Sequence, residues 1–371
     1  MKILRVVSDL YPSVVGGIGI HTHEMSKQQA KLGNEVTVYT SNTDGRPTQE
    51  YKDDYKIQRF KPILTIGGNS FIPMLFFKLF RTKNDFDIIH AHSHLFFSTN
   101  LCALVRRLGS PPLVITNHGL ISQTVPRWVH KIYIPTIAKW TFKSADKIIC
   151  YTENEKLLLV KLGIDSDMIA VIHNGTDTDI FAPREKEKDK NQILWIGRFT
   201  PGKGVEYLID AFEILVKEYP DFKLLMIGRG PLKGNIEQMI RDLNLSKNII
   251  MKEFVPNSKL PEIYQNSDVF VLPSLNEGVP RTILEAMACG IPVVCTKLPQ
   301  LVDVVDGCGL LVPVEDSQAL AEGISKIVFD RELAQKFGKN GRAKVVENYS
   351  WKDTVKKTVQ LYEELSQEVK L

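Results

Sequence analysis

The sequence predicts an α/β protein made of two consecutive parallel-sheet units, and three observations predict it. Short apolar runs alternate with helical patterns along nearly the whole chain. Glycine-bearing loops fall between a run and the helix that follows it. A charged segment, Pro183–Gln192, interrupts the alternation near the middle. Strand, loop, helix and strand in succession make a parallel pair, because parallel neighbours need a crossover between them.

The first unit opens with Ile3–Ser8, an apolar run that enters a loop holding Pro12, Gly16, Gly17 and Gly19. A helical pattern runs from about His21 to Lys31 and stops at Gly33. Glu35–Tyr39 is rich in β-formers and reads as the next strand. Further strands are predicted at 87–91, 113–116, 147–151 and 168–172, with Leu157–Val160 in a helix before the last. Pro183–Gln192 has no aliphatic or aromatic residue apart from the proline ring and reads as a linker. Behind it a second series begins. Strands are predicted at 193–197, 223–228, 249–252, 269–272 and 292–295, and helices at 205–218, 236–243 and 283–289. The chain ends in a helical segment, 351–369, with Val355, Val359, Tyr362, Leu365 and Val369 on one face. The expected division is 1–185 and 186–351, with a terminal helix at 352–371.

Composition narrows the function. The 371 residues are 43% hydrophobic and 24% charged, which is globular. A net charge of +4 is too small to argue for nucleic acid. The five cysteines are odd in number and include no C-x-x-C pair, which argues against a disulfide framework or zinc site and for a reducing cytoplasm. No signal-peptide core opens the chain, and no run of about 18 apolar residues predicts a spanning helix. The charge is uneven: residues 1–185 hold 22 basic and 17 acidic residues, and residues 186–371 hold 25 and 26. Between Arg59 and Lys147, twelve Lys and Arg face three acids, with Phe71–Phe80 and Trp128–Trp140 interleaved. Such a surface suits the anionic face of a membrane, and equally a solvated basic rim on core helices.

The loops carry the candidate chemistry. Gly16-Gly17-Ile18-Gly19 is not a dinucleotide fingerprint, since Thr22 stands where the third glycine would be. It still fits a close approach of backbone to ligand, or a plain tight turn. Gly197–Gly204 has the spacing G-x-x-x-x-G-K, but Gly204 replaces the hydroxyl residue that would hold magnesium. Arg198 as a forked donor and Lys203 as a point charge would suit a diphosphate held without metal. In Glu277–Glu285, Pro280 fits a first helical position, so backbone N–H groups near 279–282 would face a ligand oxygen. Glu277 and Glu285 would lie roughly 8–12 Å apart, two places on one elongated ligand rather than an acid–base pair. Asp177-Thr178-Asp179 reads as turn chemistry rather than a metal motif. His90, His92 and His94 alternate and are expected on one strand face, with no ligand set to complete a metal site.

Taken together these residues resemble the retaining GT-B glycosyltransferases of family 4. Glu277-x7-Glu285 followed by Ala286-Met-Ala-Cys-Gly-Ile-Pro-Val-Val carries the resemblance. So do Gly16-Gly17, Asp87–His92, Asn117-His118-Gly119, His173–Asp177, Gly197-Arg198 with Lys203, Gly228–Pro231 and Pro273-Ser274. Two positions depart from the pattern: Arg229 stands where Asp is common, and Glu253-Phe254-Val255-Pro256 lacks a glycine. Both fall where the family binds the nucleotide base.

The resemblance implies two Rossmann-like domains facing across a cleft, with the terminal helix crossing back to the first. It implies that Arg198 and Lys203 clamp the donor diphosphate, with Gly228 and Val255 nearby on the base side. Glu285 would accept from the ribose, and Glu277 would hold the donor sugar. Gly278, Val279, Pro280 and Arg281 would touch the sugar and distal phosphate, and His118 would reach the sugar from the facing domain. Gly16, Gly17, Gly19, His21 and His92 would lie on the acceptor side, with the Gly16–Gly19 loop also beside the phosphates and Gly17 counted among the donor-binding residues. The expected donor is a UDP- or GDP-linked hexose or N-acetylhexosamine, the acceptor a glycan or lipid-linked hydroxyl, and no metal or cofactor is called for. The expected place is cytoplasmic, with peripheral membrane contact through 59–147. A nucleotide-sugar epimerase, a phosphorylase or a non-catalytic sugar-nucleotide binder are the competing readings. Turnover of donor without acceptor, a need for inorganic phosphate, or no turnover would mark them in turn.

Overall fold

The computed structural model describes residues 1–11, 17–66, 68–121, 127–184 and 191–368. The chain forms two compact units, 1–174 with 351–371, and 175–350. The first boundary thus falls before the charged segment, of which residues 185–190 lie outside the described residues. Its position has a physical cause. Arg342 Nη1 donates to the carbonyls of Thr178 and Phe181, at 2.9 and 2.8 Å, and Thr176 bridges to Ser350. These contacts hold 176–181 in the second unit, whereas the sequence reading placed them in the first.

Unit 1 is built on an eight-stranded sheet. Its strands are β1 (Lys2–Val6), β2 (Glu35–Ser41), β3 (Gln49–Lys52), β4 (Tyr55–Phe60), β7 (Ile88–His92), β8 (Leu113–Thr116), β9 (Lys147–Cys150) and β10 (Ile169–Val171). The missing numbers, β5 (Leu64–Ile66) and β6 (Asn69–Phe71), are a separate antiparallel hairpin. The order is β10-β9-β8-β7-β1-β2-β4-β3, parallel except for β3 with β4. The chain fills one side of β1, then returns to the other through β7. That reversal is where ligands sit in open α/β sheets, at the carboxyl ends of the strands. Apolar side chains bury both sheet faces, so β8 has no exposed residue. The helix Trp351–Glu368 closes one face: Leu361, Tyr362 and Leu365 pack with Ile3, Val7, Val36 and Val38.

Unit 2 is a six-stranded parallel sheet. Its strands are β11 (Gln192–Ile196), β12 (Lys223–Ile227), β13 (Ile249–Lys252), β14 (Val269–Leu272), β15 (Val293–Thr296) and β16 (Gly309–Val312), in the order β13-β12-β11-β14-β15-β16. Its reversal lies between β11 and β14. Trp195, Phe199, Phe212 and Phe222 fill the core, each under 2% exposed. The strand β16 and the helices Pro299–Val305, Ser317–Phe329 and Arg331–Asn348 have no counterpart in the sequence reading.

Two local expectations are corrected. Gly17 and Gly19 open the helix Gly17–Lys31 rather than lying in the loop before it. Glycine is tolerated there because the first turn has few intrahelical bonds to lose. Pro280 is the residue before the helix Arg281–Ala288, with ψ at 130°, not its first helical residue. Gly16 lies outside the described residues.

Candidate active site

In unit 2 the loops after β11 and β14 meet at the sheet reversal. Leu275 N–H donates to the Gly202 carbonyl at 2.9 Å. Gly204 holds φ at +62°, and a Cβ there would run into the Pro273 carbonyl. Only glycine lets the two backbones come this close. The close approach brings Lys203 onto Glu277: Lys203 Nζ pairs with Glu277 Oε1, the two side chains 12% and 11% exposed. Ser274 Oγ donates to the same oxygen at 2.9 Å, and Gln300 Nε2 holds the Glu277 carbonyl. Arg198, on the same loop as Lys203, is exposed.

Glu285 lies one turn into the helix Arg281–Ala288 and is 3% exposed. Arg281 Nη2 donates to its Oε1 at 2.6 Å and the Tyr264 hydroxyl to its Oε2 at 3.0 Å. A buried carboxylate is tolerable only with such partners. The two departures from the family pattern touch each other. Arg229 lies over the Phe254 ring at 5.4 Å and reaches Glu253 at 4.0 Å, while Lys233 pairs with Glu253 at 2.6 Å. Val255 beside them is half-buried. Gly228 packs against the Gly197 carbonyl, where a Cβ would clash.

In unit 1 the carboxyl ends of β1, β7, β8 and β9 gather a polar cluster. Arg5, in the middle of an apolar strand, is fully buried. Its Nη1 donates to His92 Nε2 at 2.9 Å and to His90 Nδ1 at 3.2 Å, and its Nη2 donates to Gln29. The Tyr362 hydroxyl, from the terminal helix, meets His90 Nδ1, and His90 Nε2 lies 2.6 Å from Thr116 Oγ1. His92 Nδ1 lies 3.1 Å from His118 Nε2, and His118 Nδ1 lies 3.0 Å from the Tyr151 hydroxyl. His21 Nδ1 donates to Asn174 Oδ1 at 2.9 Å, its ring 5.3 Å from that of His118. Burial drives the pKa of His90, His92 and His118 well below the ordinary histidine value, and the Arg5 charge adds to it at His90 and His92.

Two sequence models together match most of the chain. That of the glycosyl transferases group 1 covers residues 176–344, and that of glycosyltransferase family 4 covers residues 15–180. The chain belongs to the family 4-type glycosyltransferases. An alpha-maltose-1-phosphate synthase of Mycolicibacterium smegmatis is 27% identical over 99% of this chain and 100% of that protein. A UDP-Gal:alpha-D-GlcNAc-diphosphoundecaprenol alpha-1,3-galactosyltransferase of Escherichia coli is 28% identical over 85% of this chain and 86% of that protein. The solved sucrose-phosphate synthase of Thermosynechococcus elongatus superposes with a TM-score of 0.85, at 24% identity and 98% coverage of both chains. The fold is GT-B, with two Rossmann-like units.

The glycosyltransferase carries its sequence-predicted residues in two groups. Lys203 and Glu277 are in direct contact, as are Arg281 and Glu285, although the sequence assigned the members of each pair to different parts of a ligand. His92, His118 and His21 form the other group. The shared face expected of three histidines holds for two. His90 and His92 stack at 4.5 Å, but Ser93 takes φ at +63°, turning the chain, and His94 packs on Phe142 instead. Asp177 Oδ1 accepts from Asp179 and Ile180 N–H, so this stretch is a turn. Among the described residues no group of three His, Cys, Asp or Glu is set to hold a metal. Tyr264, Gln300, Tyr151 and Tyr362 were missed because no spacing marks them. Arg5 did leave a signal, a charge inside an apolar strand, which demands a buried partner.

Proposed function

We propose that this glycosyltransferase is a retaining, metal-independent enzyme that moves a hexose or N-acetylhexosamine from a UDP or GDP sugar to an acceptor hydroxyl. The observation that carries the reading is the Lys203–Glu277 pair, held with Ser274 where the sheet of unit 2 reverses. Breaking the sugar–phosphate bond leaves positive charge on the sugar and additional negative charge on the diphosphate. Arg198 and Lys203 meet the second charge, together with N–H groups at the start of the helix Arg281–Ala288. Glu277 holds donor hydroxyls beside the first, Glu285 takes the ribose through its remaining lone pairs, and Gly228 and Val255 border the base. Gly278, Val279, Pro280 and Arg281 line the sugar. The departing phosphate accepts the acceptor proton, so attack comes from the same face. His118, His21, His92 and the Gly16–Gly19 segment serve the side of unit 1.

The activities of two relatives support a UDP donor and a phosphate-bearing acceptor: one is a UDP-Gal:alpha-D-GlcNAc-diphosphoundecaprenol galactosyltransferase, and another is an alpha-maltose-1-phosphate synthase. The test is a panel of UDP and GDP sugars offered with a polyprenyl-diphosphate sugar and with a sugar phosphate. Transfer that persists in EDTA and a product anomer matching the donor by NMR are expected. An inverted anomer, or loss of turnover on chelation, removes the reading.

A surface of unit 1 supports membrane contact on the cytoplasmic side. The helix Pro73–Thr82 buries Leu75 and Leu79 but exposes Met74, Phe77 and Phe80 beside Arg81. Trp128, Ile132, Ile137 and Trp140 are likewise exposed beside Lys131 and Lys143. No helix among the described residues is long and apolar enough to cross a membrane. The protein is expected to pellet with anionic vesicles at low salt and to release at high salt. Absence of pelleting at every salt concentration ends this part of the reading.

A further inference from the structure

Hydrogen-bond counting places the protons in the buried network of unit 1, starting from Arg5. A guanidinium only donates and stays protonated in proteins. Among the described residues no carboxylate pairs with Arg5, and its acceptors include Gln29, His90 and His92. At 2.9 Å from Arg5 Nη1, His92 Nε2 must present a lone pair. A neutral imidazole holds one proton, so that of His92 is on Nδ1. This Nδ1–H faces His118 Nε2 at 3.1 Å and donates to it. His118 Nε2 therefore also presents a lone pair, and the proton of His118 is on Nδ1. It points at the Tyr151 oxygen, 3.0 Å away. A second proton on His92 would oppose Arg5, and a second proton on His118 would oppose His92. Both rings are neutral for reasons of geometry, and burial works in the same direction.

We propose that Arg5 is a positioning residue that fixes His118, through His92, as the Nδ1–H tautomer, so that His118 meets a ligand as a hydrogen-bond donor and never as a base. The proposal rests on the reading above only for the presence of a ligand beside His118. The lone pair of His118 is turned inward to His92, and its N–H is turned to Tyr151. A ligand oxygen that takes over the place of the Tyr151 hydroxyl finds a proton already aimed at it. A sugar hydroxyl or a phosphate oxygen fits this donor. A hydroxyl that has to be deprotonated finds no acceptor there.

The test is a long-range proton–nitrogen correlation spectrum of the whole protein with labelled histidine at neutral pH, His118 being assigned by its loss in His118→Gln. The Nδ1–H tautomer is expected for His92 and His118. An Nε2–H tautomer or an imidazolium at His118 overturns the proposal, and this measurement needs no variant of Arg5. Arg5→Met removes the donor and is expected to leave His118 as a mixture of tautomers. It should lower kcat about tenfold, the worth of one oriented hydrogen bond. Arg5→Lys should restore both. An unchanged His118 tautomer in folded Arg5→Met overturns the role of Arg5, and unchanged kcat with an altered tautomer overturns the donor role. Since the spectrum requires no turnover, a protein inert toward every nucleotide sugar would sink the transferase reading and leave the tautomer result standing.

Discussion

At the carboxyl edge of the unit 2 sheet, Lys203 pairs with Glu277 and Arg281 pairs with Glu285. At the same edge of unit 1, neutral imidazoles surround a single buried guanidinium with no carboxylate among its described partners. All eight histidines of the chain lie in residues 1–174, and none in 175–350. The difference teaches how each edge can respond to a ligand. An ion pair can exchange one anionic partner for another, so Lys203 can turn from Glu277 to a phosphate with its own charge still paired, while Ser274 keeps its hydrogen bond to Glu277. A chain of hydrogen bonds that begins at a buried cation cannot reverse without moving every proton in it.

The largest test of this contrast is Glu277→Ala. Transfer should fall on the order of 100- to 1000-fold, the usual effect of removing a charge-stabilising group from a transition state. Steady-state kinetics with the best donor of the panel measures it. Lys203→Ala combined with Glu277→Ala should be far from additive, with a coupling of about 1–3 kcal/mol. Additive losses would mean that the direct contact between the two residues plays no part in the working enzyme.

Next in size is Gly204→Ala. Left-handed backbone strain of about 1–2 kcal/mol adds to the clash with the Pro273 carbonyl. A loss of about 3 kcal/mol is expected in denaturant unfolding. Gly202→Ala is the control, with φ at +85° but no heavy atom within 4 Å of a new Cβ. It should show the strain alone. Equal losses at both positions would remove the close approach of the two loops as the reason for glycine.

A smaller effect separates the units by pH. In unit 1, burial lowers His23 and His94 to about 4, and lowers His90, His92 and His118 as well. The unfolded chain then binds more protons than the folded one below the ordinary value of 6.5, so stability falls as pH drops from 6.5 toward 4. Burial raises Glu155 to about 7 and Asp9 to about 6, which has the opposite sign over nearly the same window. Five histidines against two carboxyls leave a net loss on acidification. Hydrogen exchange at pH 5 and pH 7.5 should show protection declining in 1–174 more than in 175–350. A decline shared equally would break the contrast. Glu155→Gln should make the acid loss of unit 1 steeper, since it removes an opposing group.

Much of this architecture was legible in residue order. The first strands of each unit stand out as apolar runs, because both sheet faces are buried and no polar alternation dilutes them. The helices at 299–305, 317–329 and 331–348 were not legible, and glycines explain part of it. Gly338 packs its backbone against that of Gly290, a contact invisible in periodicity. In the site, Glu277 and Glu285 were visible through their spacing. Lys203 was visible too, as a cation after a glycine loop, but its pairing with Glu277 was not, and Tyr264 was not visible at all, since these partners sit 74 and 21 residues away and only the fold joins them. The protonation chain from Arg5 to Tyr151 likewise links four strand ends that are far apart in sequence.

The terminal helix also orders events during synthesis. Unit 2 is one continuous stretch, 175–350, and all of its residues have been made before the last helix exists. Unit 1 has to wait, since Tyr362 meets His90 across 272 positions of chain. The usual vectorial order, first-made domain first, is therefore reversed at completion. Until residues 351–368 have been made, the first unit lacks the cover that Leu361, Tyr362 and Leu365 give its apolar face. A chain cut after residue 350 would keep every residue of the second unit and leave the first without its cover.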